Sequence, residues 1–560
     1  MLRLVLACSA VTSFFLTTVS AWATPQFSEQ MELVPTSSQR LDTGQGEPQK
    51  LALLRGRIDP LTSRPNTKNE KVEHISIVLV GDTGYAPHRA TPLPNGVYKY
   101  GRWQTFAQTT RKIAPEINGD INFANMETVI SGARLKPYPK KYNFITHPNG
   151  AKHLVDVGFN LFSMANNHSF DYGAKGVRHS WKHAEELKKS GLLAHAGIGP
   201  TRTEAGAAPT FERKNTRFAF AAIGIGAGGG GIQRATAKRP GQLSLNFKSD
   251  LALIGNNLRS AKADYRMLSI HRGPERYIRP NGHEVASVRN MVKQGDVDLM
   301  IGHHAHVTRG IEEMDGRLIV YGLGNFLHQG TANMNGKSGC QNYSLLVRVH
   351  LVRKGNNKPQ LAAVEAVPIN STHMQTARLR GKQGARRIGI LNGLARQFDN
   401  AATNSRGVRF VPQRDGSGLY CKNAAATHPN TRKLCGNYAP TQLASNAQYS
   451  RALATCGRAS PTQMFSKPEG AVPVLSASLE QPKIKVVKKT VAKVAKTATK
   501  AKSGKKIPAW QRTVIAPANE TYAQKRARWK RKEYTKEEVA AWKRHVAKKK
   551  LRRSKRKKRS

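Results

Sequence analysis

The 560-residue chain has few acidic residues, few cysteines and almost no long apolar runs. Asp and Glu together number 35 against 91 Lys and Arg, which gives a formal net charge of +56. Such an excess of positive charge favours polyanionic partners, whether nucleic acid, anionic lipid or an acidic polymer. It places no restriction on the fold.

Beyond the N-terminal segment, no run approaches the ~18 apolar residues that a membrane-spanning helix needs. Segment 1–23 itself has an early Arg3, an apolar stretch and the small-x-small sequence Ala21-Trp22-Ala23. This pattern predicts a secretory signal peptide cleaved near Ala23, with an uncleaved anchor as the alternative. We therefore expect a secreted, periplasmic or cell-envelope protein, for which nucleic acid is disfavoured as a partner.

Cysteine is scarce, and no close C-x-x-C pair is present, which disfavours a zinc site. If Cys8 leaves with the signal peptide, four cysteines remain: Cys340, Cys421, Cys435 and Cys456. An even number in an exported protein predicts two disulfides, and the sequence leaves all three pairings open.

Composition divides the chain into five segments. They are the signal peptide (1–23), a polar linker (24–71), an α/β domain (72–370), a Cys-containing extension (371–473) and a Lys/Arg-rich tail (474–560). Residues 481–560 hold 30 Lys or Arg against 4 Asp or Glu. Because these charges repel and apolar surface is scarce, we expect the tail to be disordered. It is predicted to contact an anionic polymer or an anionic membrane surface.

Apolar runs alternate with helical patterns between residues 72 and 370, which predicts an α/β domain with buried strands. Strand-like runs occupy 74–80, 120–126, 159–165 (within an apolar stretch that begins with 155–162), 218–226, 265–271, 297–304 and 318–326. Helices are predicted at 175–189 and 283–294, ended by Gly191 and Gly295 as left-handed C-caps. Residues 342–370 read as an antiparallel hairpin at a sheet edge.

Side chains able to bind metal follow six of these strands. They are Asp82; Asn125 and Glu127; the stretch 166–171 (NNHSFD); His271 and Glu275; His303, His304 and His306; and Asn325. Each alone is explained by a polar turn, but α/β folds build their sites at the carboxyl ends of strands. Carboxylate, amide oxygen and imidazole together suit a divalent Mn, Fe or Zn ion.

This series of strand-end motifs resembles the poly-γ-glutamate capsule-biosynthesis (CapA/PgsA) family, a branch of the calcineurin-like metallophosphoesterase superfamily. The motifs are Gly81-Asp82, Asn125-x-Glu127, Asn166-Asn167-His168-x-x-Asp171, His271-x-Gly273-x-Glu275, Gly302-His303-His304-x-His306 and Gly324-Asn325. The resemblance covers residues 72–329. It implies a metallophosphoesterase-like two-sheet β-sandwich flanked by helices.

The resemblance also implies roles for single residues. The metal ligands would be Asp82, Glu127, Asn167, His271, His304 and His306. His168 would donate a proton to the leaving group or a hydrogen bond to an oxyanion. Asp171 would orient that imidazole, with a turn or helix-cap role as the alternative. Substrate contacts are assigned to Asn125, Glu275, His303 and Asn325.

One departure from the superfamily pattern bears on activity. Phosphoesterases begin with Asp-x-His, whereas Thr83 and Gly84 follow Asp82 here, so one imidazole ligand is missing. Two hypotheses therefore stay open. One is a metal-dependent hydrolase or transferase acting on a phosphoester or γ-glutamyl polymer in capsule or envelope polymer synthesis. The other is a non-catalytic envelope protein that binds and exports polyanion.

Overall fold

The computed structural model describes residues 71–85, 90–226, 232–443 and 446–454. The predicted signal peptide and basic tail, Cys456 and all but the last residue of the predicted linker lie outside these ranges. Within these ranges, no helix combines the length and apolarity needed to cross a membrane.

The described strands and helices alternate along most of the chain. The strands are β1 (Val72–Gly84), β2 (Gly96–Lys99), β3 (Arg102–Thr105), β4 (Ile121–Met126), β5 (Val129–Ile130), β6 (Ile145–Thr146), β7 (Leu161–Ser163), β8 (Ala194–Ala196), β9 (Ile198–Gly199), β10 (Thr210–Arg213), β11 (Thr216–Gly224), β12 (Gly241–Gln242), β13 (Tyr265–His271), β14 (Leu299–His303), β15 (Ile311–Met314), β16 (Arg317–Val320), β17 (Asn325–His328), β18 (Ser344–Lys354), β19 (Gln360–Asn370), β20 (Ala377–Arg378), β21 (Ser405–Gly407), β22 (Val411–Pro412) and β23 (Gly418–Cys421). The α-helices are α1 (Phe106–Thr110), α2 (Pro148–Val157), α3 (Gly173–Leu187), α4 (Arg202–Ala205), α5 (Lys248–Ser260), α6 (Gly282–Gln294), α7 (Gly381–Ala395), α8 (Pro429–Cys435) and α9 (Asn446–Ala454).

Two large sheets form the centre of the domain. The first has the order β22-β23-β19-β18-β1-β4-β7-β8, with β17 added beside the end of β1 and β20 beside β19. The second has the order β10-β11-β13-β14-β16-β15-β21. In each sheet the central strands run parallel: β1, β4, β7 and β8 in the first and β11, β13, β14 and β16 in the second.

Alternating side chains explain why the sheets are covered on both faces. In β1, Ile75, Ile77 and Leu79 pack in the core shared by the two sheets, whereas Val78 and Val80 pack under the helices α2 and α3. The outer face of the second sheet packs on α5 and α6 in the same way. This period of two is what a strand buried on both faces requires. The predicted two-sheet sandwich flanked by helices is confirmed.

The extension contributes to both sheets. β21 pairs with β15 of the second sheet, and β23 pairs with β19 of the first. A disulfide joins Cys421, at the end of β23, to Cys435, the last residue of α8. A disulfide-containing extension is therefore confirmed, and this bond selects one of the predicted pairings.

Three local predictions are wrong. The run 155–162 is not one strand, because α2 continues to Val157 and Gly158 (φ 120°) ends it before β7. The run 318–326 is divided between β16 of the second sheet and β17 of the first. The hairpin β18–β19 forms as predicted but lies inside the first sheet, because β1 and β23 pair with its two outer sides.

The two helix ends differ from each other. Gly191 follows α3 after a short 3₁₀ turn and has φ 110°, as the sequence predicts. Gly295 has φ −88°, so the predicted left-handed cap there is wrong, and Asp296 takes the positive φ of 48° instead. Aspartate is one of the few residues that tolerate this conformation.

Candidate metal centre

The predicted site residues meet where the carboxyl ends of strands from both sheets come together. Asp82 belongs to β1, and its Cα partners are Asn125 of β4 and Asn325 of β17. Glu127 follows β4, and Asn167 and His168 follow β7. The remaining members come from the second sheet, where His271 ends β13 and His303 ends β14, with His304 and His306 in the turn that follows.

A close backbone approach positions Asp82. The Cβ of an alanine at Gly81 would lie 1.8 Å from the carbonyl oxygen of Gly324, so only glycine fits. That carbonyl accepts a hydrogen bond from the Asp82 N–H at 3.0 Å. The Asp82 carboxylate is fully buried and accepts from Asn125 Nδ2 at 2.8 Å. The other carboxylate oxygen lies 3.1 Å from His306 Nδ1.

Glu127 is the centre of the cluster. Both of its carboxylate oxygens are buried, and neither has a hydrogen-bond partner. Three imidazoles lie around them: His271 Nε2 at 3.4 Å, His328 Nε2 at 3.1 Å and His306 Nδ1 at 3.8 Å. Burial alone raises the pKa of Glu127, but the positive charges of His306 and His271 hold it well below its usual value.

The turn after β14 bends sharply at two histidines. His304 and His306 have φ values of 83° and 54°, a left-handed conformation that non-glycine residues adopt at a cost. Their ligand atoms and a Glu127 oxygen all lie within 4.8 Å of one another. Burial lowers the pKa of His306, but the Glu127 and Asp82 carboxylates raise it to about 10. The two buried carboxylates therefore favour a positive charge on His306, whereas burial and the charges of His271 and His306 lower the pKa of His304.

The donor set fits a divalent metal. The imidazole atoms His304 Nδ1, His328 Nδ1 and His328 Nε2 are buried without hydrogen-bond partners, as are both oxygens of Glu127. Leaving buried polar atoms unpaired costs about 1–3 kcal/mol each. Carboxylate and imidazole atoms converging on one point are the ligands that Mn, Fe and Zn take. A bound cation would satisfy the Glu127 oxygens together with one nitrogen from each imidazole that reaches it.

His168 points one imidazole nitrogen at the cluster and the other at Asp171. Its Nδ1 lies 2.8 Å from Asp171 Oδ2, and its Nε2 lies 3.9 Å from Glu127 Oε1. Asp171 is held in turn by the Phe144 N–H at 2.5 Å and by an ion pair with Lys140. Burial lowers the pKa of His168, and the charge of Asp171 opposes that effect only in part.

The other predicted ligands and substrate contacts lie next to candidate ligands, except for Glu275, which is exposed. Asn167 Oδ1 lies 2.7 Å from His271 Nε2, so these two predicted ligands are adjacent. Asn325 Oδ1 lies 2.8 Å from His306 Nδ1, and His303 is buried, stacking on Phe123 at 5.5 Å. Asn125, His303 and Asn325 are thus buried beside the candidate ligands Asp82 and His306, and their role as substrate contacts stays a prediction. Glu275 is exposed, and its charge acts on His306.

Two residues of the cluster were not predicted, His328 and Lys140. His328 ends β17, and the strand-end rule that selected its neighbours would have found it had the strand been continued past 326. Its Cα partner in β1 is Gly84, the position at which the Asp-x-His motif places a histidine. Lys140 lies in the loop between β5 and β6, where its Nζ donates to the Asn167 carbonyl oxygen at 2.6 Å. Nothing in the local sequence indicates this contact.

A cavity among the described residues lies away from this cluster. It has a volume of about 900 Å³ and is lined by residues such as Arg317, Lys358 and Tyr420. None of the predicted site residues lines it. Its cations already form ion pairs, for example Arg317 with Asp296 at 2.8 Å, so it offers less reactive chemistry than the strand-end cluster.

The two-sheet sandwich and its strand-end cluster of carboxylates and imidazoles define a metallophosphoesterase-like domain. Within the chain, residues 76–330 match the family described as bacterial capsule synthesis protein PGA_cap. The resemblance predicted from the strand-end motifs is thereby confirmed over this segment, which ends two residues beyond His328.

Two similar proteins are named as capsule or PGA biosynthesis proteins. The chain is 27% identical over 310 residues to "Capsule biosynthesis protein CapA" of Bacillus anthracis, covering 54% of this chain and 69% of that protein. It is 27% identical over 231 residues to "PGA biosynthesis protein CapA" of Bacillus subtilis, covering 41% of this chain and 57% of that protein. The matched region thus spans between about half and two thirds of these relatives.

Solved structures give more distant likenesses. A calcineurin-like phosphoesterase, YfkN of Bacillus subtilis, matches 53% of this chain and 91% of its own, with 15% identity and a TM-score of 0.29. A putative 5′-nucleotidase of Staphylococcus aureus matches 55% of this chain and 54% of its own, with 12% identity and a TM-score of 0.31.

Proposed function

We propose that this protein is an exported, metal-dependent hydrolase or transferase of capsule or envelope polymer synthesis that acts on a phosphoester or a γ-glutamyl polymer. The observation that carries the proposal is Glu127, whose two buried oxygens have no hydrogen-bond partner and face three imidazoles. A purely structural core has no reason to retain such an arrangement, because replacing it with apolar side chains is often neutral or stabilising.

The residues that would hold the cation are Asp82, Glu127, Asn167, His271, His304 and His306. A divalent metal bound there would polarise the reacting group and lower the pKa of a bound water. His168 is the residue of this chain that would exchange a proton with substrate or hydrogen-bond a developing oxyanion. Asp171 and the Phe144 N–H would keep that ring in place.

His328 supports the catalytic reading over the non-catalytic one. The Asp-x-His histidine is absent at Gly84, yet the neighbouring strand brings His328 beside that position. Its Nε2 lies 3.1 Å from Glu127 Oε2, and its ring is almost fully buried. We infer that an imidazole from β17 takes the place of the missing one, so that the number of candidate ligands is not reduced.

Metal content and turnover test the proposal together. Purified full-length protein loaded with Mn or Zn should retain stoichiometric metal and should hydrolyse a phosphodiester or poly-γ-glutamate. His168→Ala should lower turnover while metal content stays constant, and His183→Ala on α3, where the ring contacts Glu186, serves as the matched histidine control. Failure to retain metal, together with unchanged turnover in His168→Ala, would favour the non-catalytic polyanion-binding protein.

The basic tail is a separate proposal. We expect residues 481–560, which lie outside the described residues, to hold anionic polymer or an anionic membrane surface by charge. Retention on an acidic polymer should then weaken as salt rises. Deleting the tail should abolish this retention without changing metal content.

A further inference from the structure

Large apolar or aromatic side chains are exposed at five positions within the described residues, and each belongs to a segment that also holds a residue in contact with His168, Asn167 or the backbone just after His328. They are Tyr98, Tyr100, Trp103, Tyr142 and Ile232, with exposed fractions between 45% and 62%. Exposed apolar side chains scattered singly are normal, whereas neighbouring ones that form a common patch mark binding surfaces. We call these five side chains the aromatic rim.

The hairpin β2–β3 carries three of them. Tyr98 is paired directly with Trp103 across the two strands, so their rings lie on the same, outward face. The turn between the strands has positive φ at Tyr100 and Gly101, the geometry of a tight hairpin. Lys99 alternates to the inner face and is buried. The outward face is thereby a small aromatic platform.

The hairpin is attached to the metal centre through the segment after β17. Lys99 Nζ donates to the carbonyl oxygens of Gln329 at 2.5 Å and Thr331 at 2.7 Å. Gln329 directly follows His328, which contacts Glu127. The platform is therefore held at a fixed place beside the site.

The other two members of the rim flank the same site. Tyr142 lies two residues before Phe144, whose ring centroid is 4.3 Å from that of His168. Ile232 precedes Gln233, whose Nε2 donates to the Asn167 carbonyl oxygen at 3.0 Å. Both are thus one or two positions from a residue that touches the candidate ligands or His168.

The three segments that carry the rim, and the segment after His328 that Lys99 contacts, are also free of acid. Residues 90–105, 131–147, 232–248 and 329–342 contain no Asp or Glu and contain eleven Lys or Arg. Arg102, which precedes Trp103 and pairs with Lys99 on the other face of the hairpin, and Lys141, whose Nζ lies 5.1 Å from the Tyr142 ring centre, are exposed. Glu275 is an exposed acid on the β13 side of the site, so the acid-free character applies to these four segments.

We propose that the aromatic rim binds a strand of an acidic glycan, a polymer of sugar rings that bear carboxylate or phosphate groups. The C–H groups on one face of a sugar ring pack against the electron-rich face of an aromatic ring. The neighbouring cations pair with the anionic groups. Delivery of this strand to the metal centre rests on the proposed function, whereas binding by the rim does not.

Two other polyanions fit the rim less well. Poly-γ-glutamate has no rings, so it would use the cations and leave the tyrosine and tryptophan faces without a role. A lipid bilayer recruits Tyr and Trp at its interface but is anchored by aliphatic or Phe side chains that enter the hydrocarbon. Ile232 is the single aliphatic member, and the other four each keep a polar atom.

The test compares dissociation constants of the full-length protein for polygalacturonate and poly-γ-glutamate, at fixed ionic strength and with chelator present. The basic tail and the cations contribute to the binding of both polymers, so the difference between the two dissociation constants reports on the aromatic rings. Trp103→Ala should weaken polygalacturonate binding about tenfold, which is at the low end of the loss for an aromatic ring stacked on a nucleobase. Binding of poly-γ-glutamate should change less than about twofold. Trp103→Phe, which keeps a ring face, should restore most of the affinity.

Lys354→Glu is the control, because Lys354 is exposed and pairs with Val72 at the opposite end of β1 from Asp82. This substitution should leave the ratio of the two dissociation constants unchanged. An equal loss of affinity for both polymers in Trp103→Ala would show that the rim acts only as a charged surface. No loss of affinity for either polymer would overturn the proposal. Loss of binding to anionic phosphatidylglycerol vesicles, with polygalacturonate unaffected, would instead assign the rim to a membrane. Because chelator is present, this binding test does not depend on metal. Absence of bound metal or of turnover in the separate metal-loading experiment would overturn the proposed function and leave the binding result standing.

Discussion

The Nδ1 atom of His168 lies 2.8 Å from Oδ2 of Asp171, three residues later in the chain. This contact leaves Nε2 of the same ring directed at Glu127, 3.9 Å away. A short polar loop after β7 therefore contains both a candidate proton donor and the carboxylate that fixes its orientation. The pair is independent of the candidate ligands contributed by the second sheet, so the two parts of the site can be tested separately.

Asp171→Asn tests the orienting contact. The amide keeps the size of the side chain but loses the charge that holds the Nδ1 proton of His168 and pairs with Lys140. We expect turnover to fall, approaching the about 10²–10⁴-fold loss of His168→Ala, because general acid–base catalysis contributes that much. Turnover of a phosphodiester, its pH profile and bound metal measure the effect. Retained turnover with an unchanged pH profile would assign Asp171 to the turn alone.

His328→Ala tests the imidazole that the sequence motif lacks. Its Nε2 faces Glu127 Oε2 at 3.1 Å, so its loss should lower metal affinity by at least about tenfold, the usual lower range for altered metal surroundings. Equilibrium dialysis with Mn or Zn measures this directly, without any substrate. His183→Ala is the control, and equal affinities for the two variants would show that His328 does not take the missing position.

The motif residues of the site could be predicted because strand ends are visible in the sequence. Each apolar run stops at a polar residue, and parallel strands bring such stops to one edge. Asp82, Glu127, His271 and His304 were found in this way. The sequence does not indicate His328, because 318–326 reads as one strand although the chain passes from the second sheet to the first after Val320.

Contacts that depend on tertiary packing had no sequence signal. Lys140 reaches Asp171 across 31 residues from a loop with no pattern of its own. The hairpin β18–β19 looked like an edge because the partner β23 lies 48 residues beyond the end of β19. The run 155–162 had apolar residues at positions that suit either a strand or the end of α2, an ambiguity that short apolar runs do not resolve.

Gly81→Ala tests the backbone approach that places Asp82 beside Asn325. Its Cβ would meet the Gly324 carbonyl oxygen at 1.8 Å, so β1 and the turn before β17 must separate. We expect a loss of unfolding free energy of about 1–3 kcal/mol, typical of overpacking, together with weaker metal binding. Gly282→Ala, at the start of α6 with open space around it, should be neutral or slightly stabilising. Similar urea midpoints for the two variants would contradict this account.

His74 gives the fold a predicted dependence on pH. Its Nε2 lies 2.8 Å from His350 Nδ1. Burial, followed by the charges of His350, His428 and Lys214, lowers its pKa to about 4, and Asp120 opposes the shift. The unfolded state binds a proton near pH 6.5 and the folded state only near pH 4, so stability falls as the pH falls through this window. The ring is only half-buried, which reduces the expected contribution to about 1 kcal/mol.

Urea unfolding at pH 7 and pH 4.5 should therefore show a smaller loss of unfolding free energy for His74→Asn than for the wild type. An equal loss in the two proteins would mean that other groups carry the acid sensitivity, and His183→Asn should behave as the wild type does.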